Sequence, residues 1–162
     1  MTDHDADELR IDAGPFRSRI FQPTLDLDVA DGWSGVELPD AIVLNLHDES
    51  CELALDASDY NPATAHGLAE LLRSTPGLTA TEIVDADVGG RAACVFDADV
   101  EDDYVTFMDN SGKTADAGDH VRVMAVEHPE GALSVFITAP AERFSDFCAE
   151  ALRLLRTLRF TA

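Results

Sequence analysis

Ser111-Gly112-Lys113-Thr114 has the ending of a phosphate-binding loop, in which backbone amides wrap the phosphates and the lysine answers their charge. That loop needs a glycine five positions before its Gly-Lys pair; this chain has Phe107 there, and no long helix follows. Two acidic runs, 85–90 and 97–103, have the composition of a calcium loop. An EF-hand requires glycine at its sixth position and glutamate at its twelfth. Counted from Asp97 these positions hold Asp102 and Met108, and counted from Asp85 they hold Gly90 and Phe96. Neither run closes a ligand sphere, so solvated carboxylates at strand ends are expected.

His47, Cys51, Cys94 and His120 could in principle ligate zinc, but the paired CxxC or HxxxH spacing of a tetrahedral site is missing. The same dispersion leaves a cysteine–histidine nucleophile unspecified. GxSxG, HExxH and the Rossmann glycine fingerprint are absent. The expectation is a chain with no catalytic, cofactor-binding or metal-ligating residue, and no cofactor. Trp33, after the Asp31-Gly32 turn, is either a ligand platform or an aromatic sealing the edge of a small core, and the second role is the more common.

Charge narrows the partners. Across 162 residues, 32 Asp and Glu stand against 11 Lys and Arg, a formal net charge of -21, and Lys113 is the only lysine. Such a surface repels nucleic acid and anionic membranes at a distance, so neither is expected as a partner, and self-association is open. Dense Asp with Arg in place of Lys suits a high-salt cytoplasm or a GC-rich genome. If the first holds, stability rises from low salt to molar KCl and comparably in NaCl, because screening relieves repulsion more in the compact state. One segment runs against the trend: Arg143, Arg153, Arg156 and Arg159 give the last 22 residues a net charge of +1. These arginines answer the helix dipole, neutralise acidic strands, or mark a contact with an acidic partner. Cys51, Cys94 and Cys148, odd in number and set among apolar neighbours, read as buried free thiols. No apolar run approaches a membrane span, and the acidic start is unlike a signal peptide, so a cytoplasmic protein is expected.

The elements that must position these residues follow from periodicity. Residues 1–14 read as an acidic flexible tail and 15–162 as one α+β domain. Two short strands are expected over 16–23 and 24–33; in the second, Leu25, Leu27 and Val29 alternate with Asp26 and Asp28. A hairpin over 41–58 has His47–Ser50 as its loop. A helix capped by Asn61-Pro62 buries Leu68, Leu71 and Leu72 and stops before Pro76-Gly77. A strand, the Gly89-Gly90 turn and a second strand reach Val100; a strand over 102–109 precedes a polar loop over 110–119. Val121, Val123 and Ala125 alternate on one arm and Leu133, Val135 and Ile137 on the other of the clearest hairpin, joined at Pro129-Glu130-Gly131. The last element, 140–157, is an amphipathic helix with Phe144, Phe147, Cys148, Ala151, Leu154, Leu155 and Leu158 in one stripe. Hairpins in series make an antiparallel sheet, and two helices with one apolar face each must cover it.

Three phrases add a resemblance. "RSRIFQPTLDLDVADGW" is similar to the opening of PsbP-like domains, "LLRSTPGLTATEIVDADVGGRAACVFD" to their helix, turn and hairpin, and "APAERFSDFCAEALRLLRTLRF" to their closing helix and terminal strand. The resemblance spans most of 16–160 and implies an α-β-α sandwich serving as an accessory, assembly, chaperone or binding protein rather than an enzyme. Many members of the group are membrane-attached lipoproteins, but no lipobox cysteine stands near the start of this chain. The leading expectation is a non-catalytic adaptor or chaperone-like domain that recognises a protein or peptide. A small-molecule carrier with an apolar cleft between sheet and helix comes second, an enzyme third. A cleft lined by Trp33 or Phe144 favours the carrier, and an exposed apolar patch the adaptor.

Overall fold

A computed structural model describes residues 8–57, 64–108 and 113–161. The main sheet is built from β1 (Leu9–Ile11), β4 (Trp33–Glu37), β5 (Ala41–Leu46), β6 (Asp48–Asp56), β7 (Leu78–Ala80), β8 (Val84–Val88), β9 (Arg91–Val100), β12 (Asp119–His128) and β13 (Gly131–Pro140). Its spatial order is β1-β4-β5-β6-β13-β12-β9-β7, with β8 pairing β9 beside β7, and every pairing is antiparallel. A smaller sheet joins β2 (Gly14–Arg17), β3 (Leu25–Val29) and β14 (Arg159–Phe160), and β10 (Tyr104–Thr106) pairs β11 (Thr114–Asp116). The helices are α1 (Ala65–Arg73) and α2 (Ala141–Leu155). This is the α+β architecture expected: mostly antiparallel sheet with two helices.

Central strands β12 and β13 carry apolar side chains on both faces, because each face has its own core. Leu133, Val135 and Ile137 join Met124, Val126 and the α2 residues Phe147, Ala151 and Leu155 in one core. Phe136, Val121, Val123 and Ala125 join Leu68, Ala69 and Leu72 of α1 in the other. Pairing of Val123 with Phe136 and of Val121 with Thr138 explains the division. The two apolar series read from the hairpin therefore face opposite sides of the sheet. The whole predicted stripe of α2 is buried, from Phe144 at 8% to Ala151 at 0% exposure.

Several boundaries differ from the sequence reading. Part of the supposed tail is a strand: β1 pairs with β4, and Ile11 is buried in the first core, which offsets the ordering entropy of that short segment. The strand expected over 16–23 ends at Arg17, and the following backbone is instead gathered by a buried carboxylate. Glu37 Oε2 accepts from the amides of Arg19, Ile20 and Phe21 at 2.6, 2.7 and 2.8 Å. The 47–50 loop shrinks to His47 alone, at φ 67°, with Asp48 already in β6. The strand expected over 24–33 ends at Val29, and Trp33 instead opens β4, whose residues Ser34–Glu37 were unassigned from the sequence. Helix α1 is capped by Thr64, whose side chain accepts from Gly67 N; Asn61-Pro62 lies outside the described residues. Leu71 is only half-buried.

Candidate functional site

The residues that invited chemical readings are mostly committed to structure. Lys113 lies 2.7 Å from Glu52 Oε1 with its side chain 10% exposed, so the lysine of the phosphate-loop look-alike is held by a carboxylate. Among the described residues no group of His, Cys, Asp and Glu is arranged to hold a metal ion. The fold separates His47, Cys51, Cys94 and His120: His120 sits on β12 against Asp99 and Asp97, whereas Cys94 contacts Asp85. All three cysteines are buried and free, as expected. Burial, reinforced by the Asp85 charge, pushes the Cys94 thiol up, and burial pushes up Cys148. Both shifts oppose thiolate formation. Trp33 is sealed in the core with its ring centroid 5.5 Å from that of Phe147, and the Phe144 ring meets His120 at a tilt, centroids 4.2 Å apart. Trp33 is 3% and Phe144 8% exposed.

A broad concavity lies elsewhere. Register places Val84, Ala86, Val95 and Met124 on one face of β8, β9 and β12, because Val84 pairs with Val95 and Met124 with Val95. Helix α2 packs over β12, β13 and β6, and on this face Val88 and Ala93 are buried while Val84 and Ala86 of β8 stay exposed. Between that face and the C-terminal turn of α2 runs an open groove of about 1250 Å³. Val84, Ala86, Val95 and Met124 form its floor; Leu152 and Leu155 form the wall, with Arg156 and Arg159 on the same side. Val84 is 58% exposed, a large apolar residue left to water. One end is closed by the Gly89-Gly90 turn. Gly89 has φ 57° and lies so near the Leu158 carbonyl that a side chain there would collide with it, which explains the glycine.

A polar cluster closes the other end. Arg122 grips Asp97 with two hydrogen bonds, at 2.7 and 3.1 Å, and the pair lines the groove. Burial works to raise the Asp97 pKa, but the Arg122 hydrogen bonds and charge, with His120 behind them, hold it below the ordinary value. Arg122 is raised in turn, chiefly by its bond to Asp97. Behind them, His120 Nδ1 lies 2.8 Å from Asp99 Oδ1. Arg153 pairs with Glu150 and Arg143 with Asp48, but among the described residues no carboxylate pairs with Arg156 or Arg159. Sequence reasoning singled out those two arginines as part of a basic segment. It missed the floor, since Val84 and Met124 stand out only when the register and the limits of α2 are known.

No family model matches the chain, and no curated protein does. Solved structures share its fold. LpqN of Mycobacterium tuberculosis, described as involved in cell envelope biogenesis, is 18% identical over 98% of this chain and 94% of that one, with a TM-score of 0.50. PA94 of Pseudomonas aeruginosa, of unknown function, is 14% identical over 93% and 99%, with a TM-score of 0.51. A cyanobacterial PsbP from Synechocystis is 10% identical over 96% and 94%, with a TM-score of 0.47. The chain shares its fold with LpqN and PA94. At such identities the likeness reaches the fold alone. No described helix is long and apolar enough to cross a membrane.

Proposed function

We propose that this chain is a non-catalytic accessory module that holds a protein or peptide partner in the groove between α2 and the β8–β9–β12 face. The observation that carries the reading is an apolar floor whose β8 part, Val84 and Ala86, is left exposed, opposed by two arginines that no described carboxylate pairs with. A patch of this kind in an otherwise polar, strongly charged surface is characteristic of interaction sites. The groove is open along its length, which suits a chain segment better than an enclosed small molecule. The placement of α1 and α2 in separate cores is also the layering that an α-β-α sandwich requires.

A photo-crosslinking amino acid at position 84 tests the proposal, with position 104 as control. Tyr104 is 63% exposed and lies outside the groove. The expected result is capture of a discrete polypeptide from native-host lysate at 84 and not at 104. Equal capture at both positions, or none at 84, overturns the reading.

A further inference from the structure

Two features of the groove specify its occupant beyond "a protein". The first is an open backbone edge. β8 bonds to β9 on one side, and among the described residues no strand pairs with its other side. Its residues from Val84 to Asp87 are all exposed. An unpaired edge presents amide and carbonyl groups spaced to accept another strand. The second is uncommitted charge. In a chain with 32 carboxylates, Arg156 makes no side-chain bond among the described residues, and Arg159 donates only to the carbonyls of Arg156 and Leu158. Both arginines belong to the groove that β8 borders.

Resting on the proposed binding role, we propose that the groove takes an extended peptide that adds as a strand to β8 and presents a carboxylate to Arg156 and Arg159. The pleat fixes the rest of the pattern. Side chains of the added strand on the groove face meet Val84 and Ala86, so they are apolar apart from the one acid. Side chains on the other face lie beside Asp85 and Asp87, which favour Lys, Arg or Thr. A second copy of this chain is a poor occupant, because antiparallel pairing of β8 with itself brings Asp85 and Asp87 of both copies together.

The test is selection from a phage-displayed random heptapeptide library on the immobilised full chain, followed by fluorescence anisotropy with the tightest selected peptide. The expected consensus alternates apolar with basic or Thr residues and carries one Asp or Glu on the apolar register. Converting that acid to its amide weakens binding by about tenfold, as for a lost charge-assisted bond. Simple attraction to a net negative protein predicts the opposite, tighter binding of the more positive amide. Arg156→Gln weakens the acidic peptide by a similar factor and leaves the amide peptide unchanged. N-methylation of alternate peptide amides abolishes binding in one register and spares it in the other. No enrichment, no acid in the consensus, insensitivity to Arg156→Gln, or equal binding of the two methylated registers each overturns the proposal. If these fail while position 84 still crosslinks a polypeptide, strand addition is wrong and the groove reading stands. If the crosslink fails as well, both are wrong.

Discussion

Strands β9 and β12 turn two faces to two neighbours, and the faces have opposite fates. Toward α1 they present Cys94, Phe96, Ala98, Val121, Val123 and Ala125, all buried against helix leucines. Toward α2 they present Val95, Asp97, Asp99, His120, Arg122 and Met124, a mixed surface on which the carboxylates pair with Arg122 and His120 across the strands. The first face is closed because α1 lies over it. The second is open where α2 stops short, and its polar pairs stay wet enough to be tolerated. Partial coverage by a helix can thus leave a groove in a small domain without any special loop.

The contrast is broken most forcefully by emptying the closed side. Phe96→Ala should cost about 3–5 kcal/mol in urea melts, since the ring is fully buried and its neighbours cannot collapse completely. Phe147→Ala, under α2 where it contacts Trp33, should cost as much. A near-neutral result at Phe96 would show that α1 does not seal its face.

Arg122→Ala tests the open side at its polar end. The side chains of the pair are 30% and 25% exposed, so removing the guanidinium leaves a largely covered carboxylate and should cost about 1–3 kcal/mol. The pH dependence gives the sign. Asp97 has its folded pKa below the unfolded value, so its contribution is present above about pH 3.8 and is lost as pH falls through the folded value. In Arg122→Ala that acid-range loss should shrink; an unchanged acid limb would mean that the pair is not coupled to folding.

His128 tests where the open face closes again. It extends the same face of β12, stacks on Phe160 at 5.6 Å, and accepts from the Glu130 amide at 3.1 Å. Burial lowers its pKa below 6.5, so both states are neutral above that pH. Below it the unfolded chain takes the proton first, and stability falls until the folded pKa is reached, by at most about 1.4 kcal/mol per pH unit. His128→Gln should remove that slope between pH 6.5 and the folded value. A slope that survives would place the titration elsewhere.

The smallest effect draws the comparison most sharply. Val84→Thr on the open floor should change stability by no more than about 0.5 kcal/mol. Val123→Thr on the closed face buries a hydroxyl and should cost about 1–3 kcal/mol. Equal costs would mean that the groove floor is covered in solution.

Local periodicity determined much of this molecule. The alternation in 121–137 and the three-four spacing from Phe144 to Leu158 are intrinsic to a strand pair and a helix, so both elements and their buried residues were legible. The Gly89-Gly90 turn was legible for the same reason, since turn chemistry is carried by the residues that make it. What the sequence left open depends on contacts between distant segments. Leu9–Ile11 has too few residues to signal a strand, and becomes one only by pairing with Gly35–Glu37, which were themselves unassigned. Glu37 looked like one carboxylate among many until the fold set three amides around it. The candidate site was read only in part, as a basic helix end. Alternation shows that a strand has two faces, but only tertiary packing decided where α2 ends over the sheet and so which face of β8 and β9 stays open to a partner.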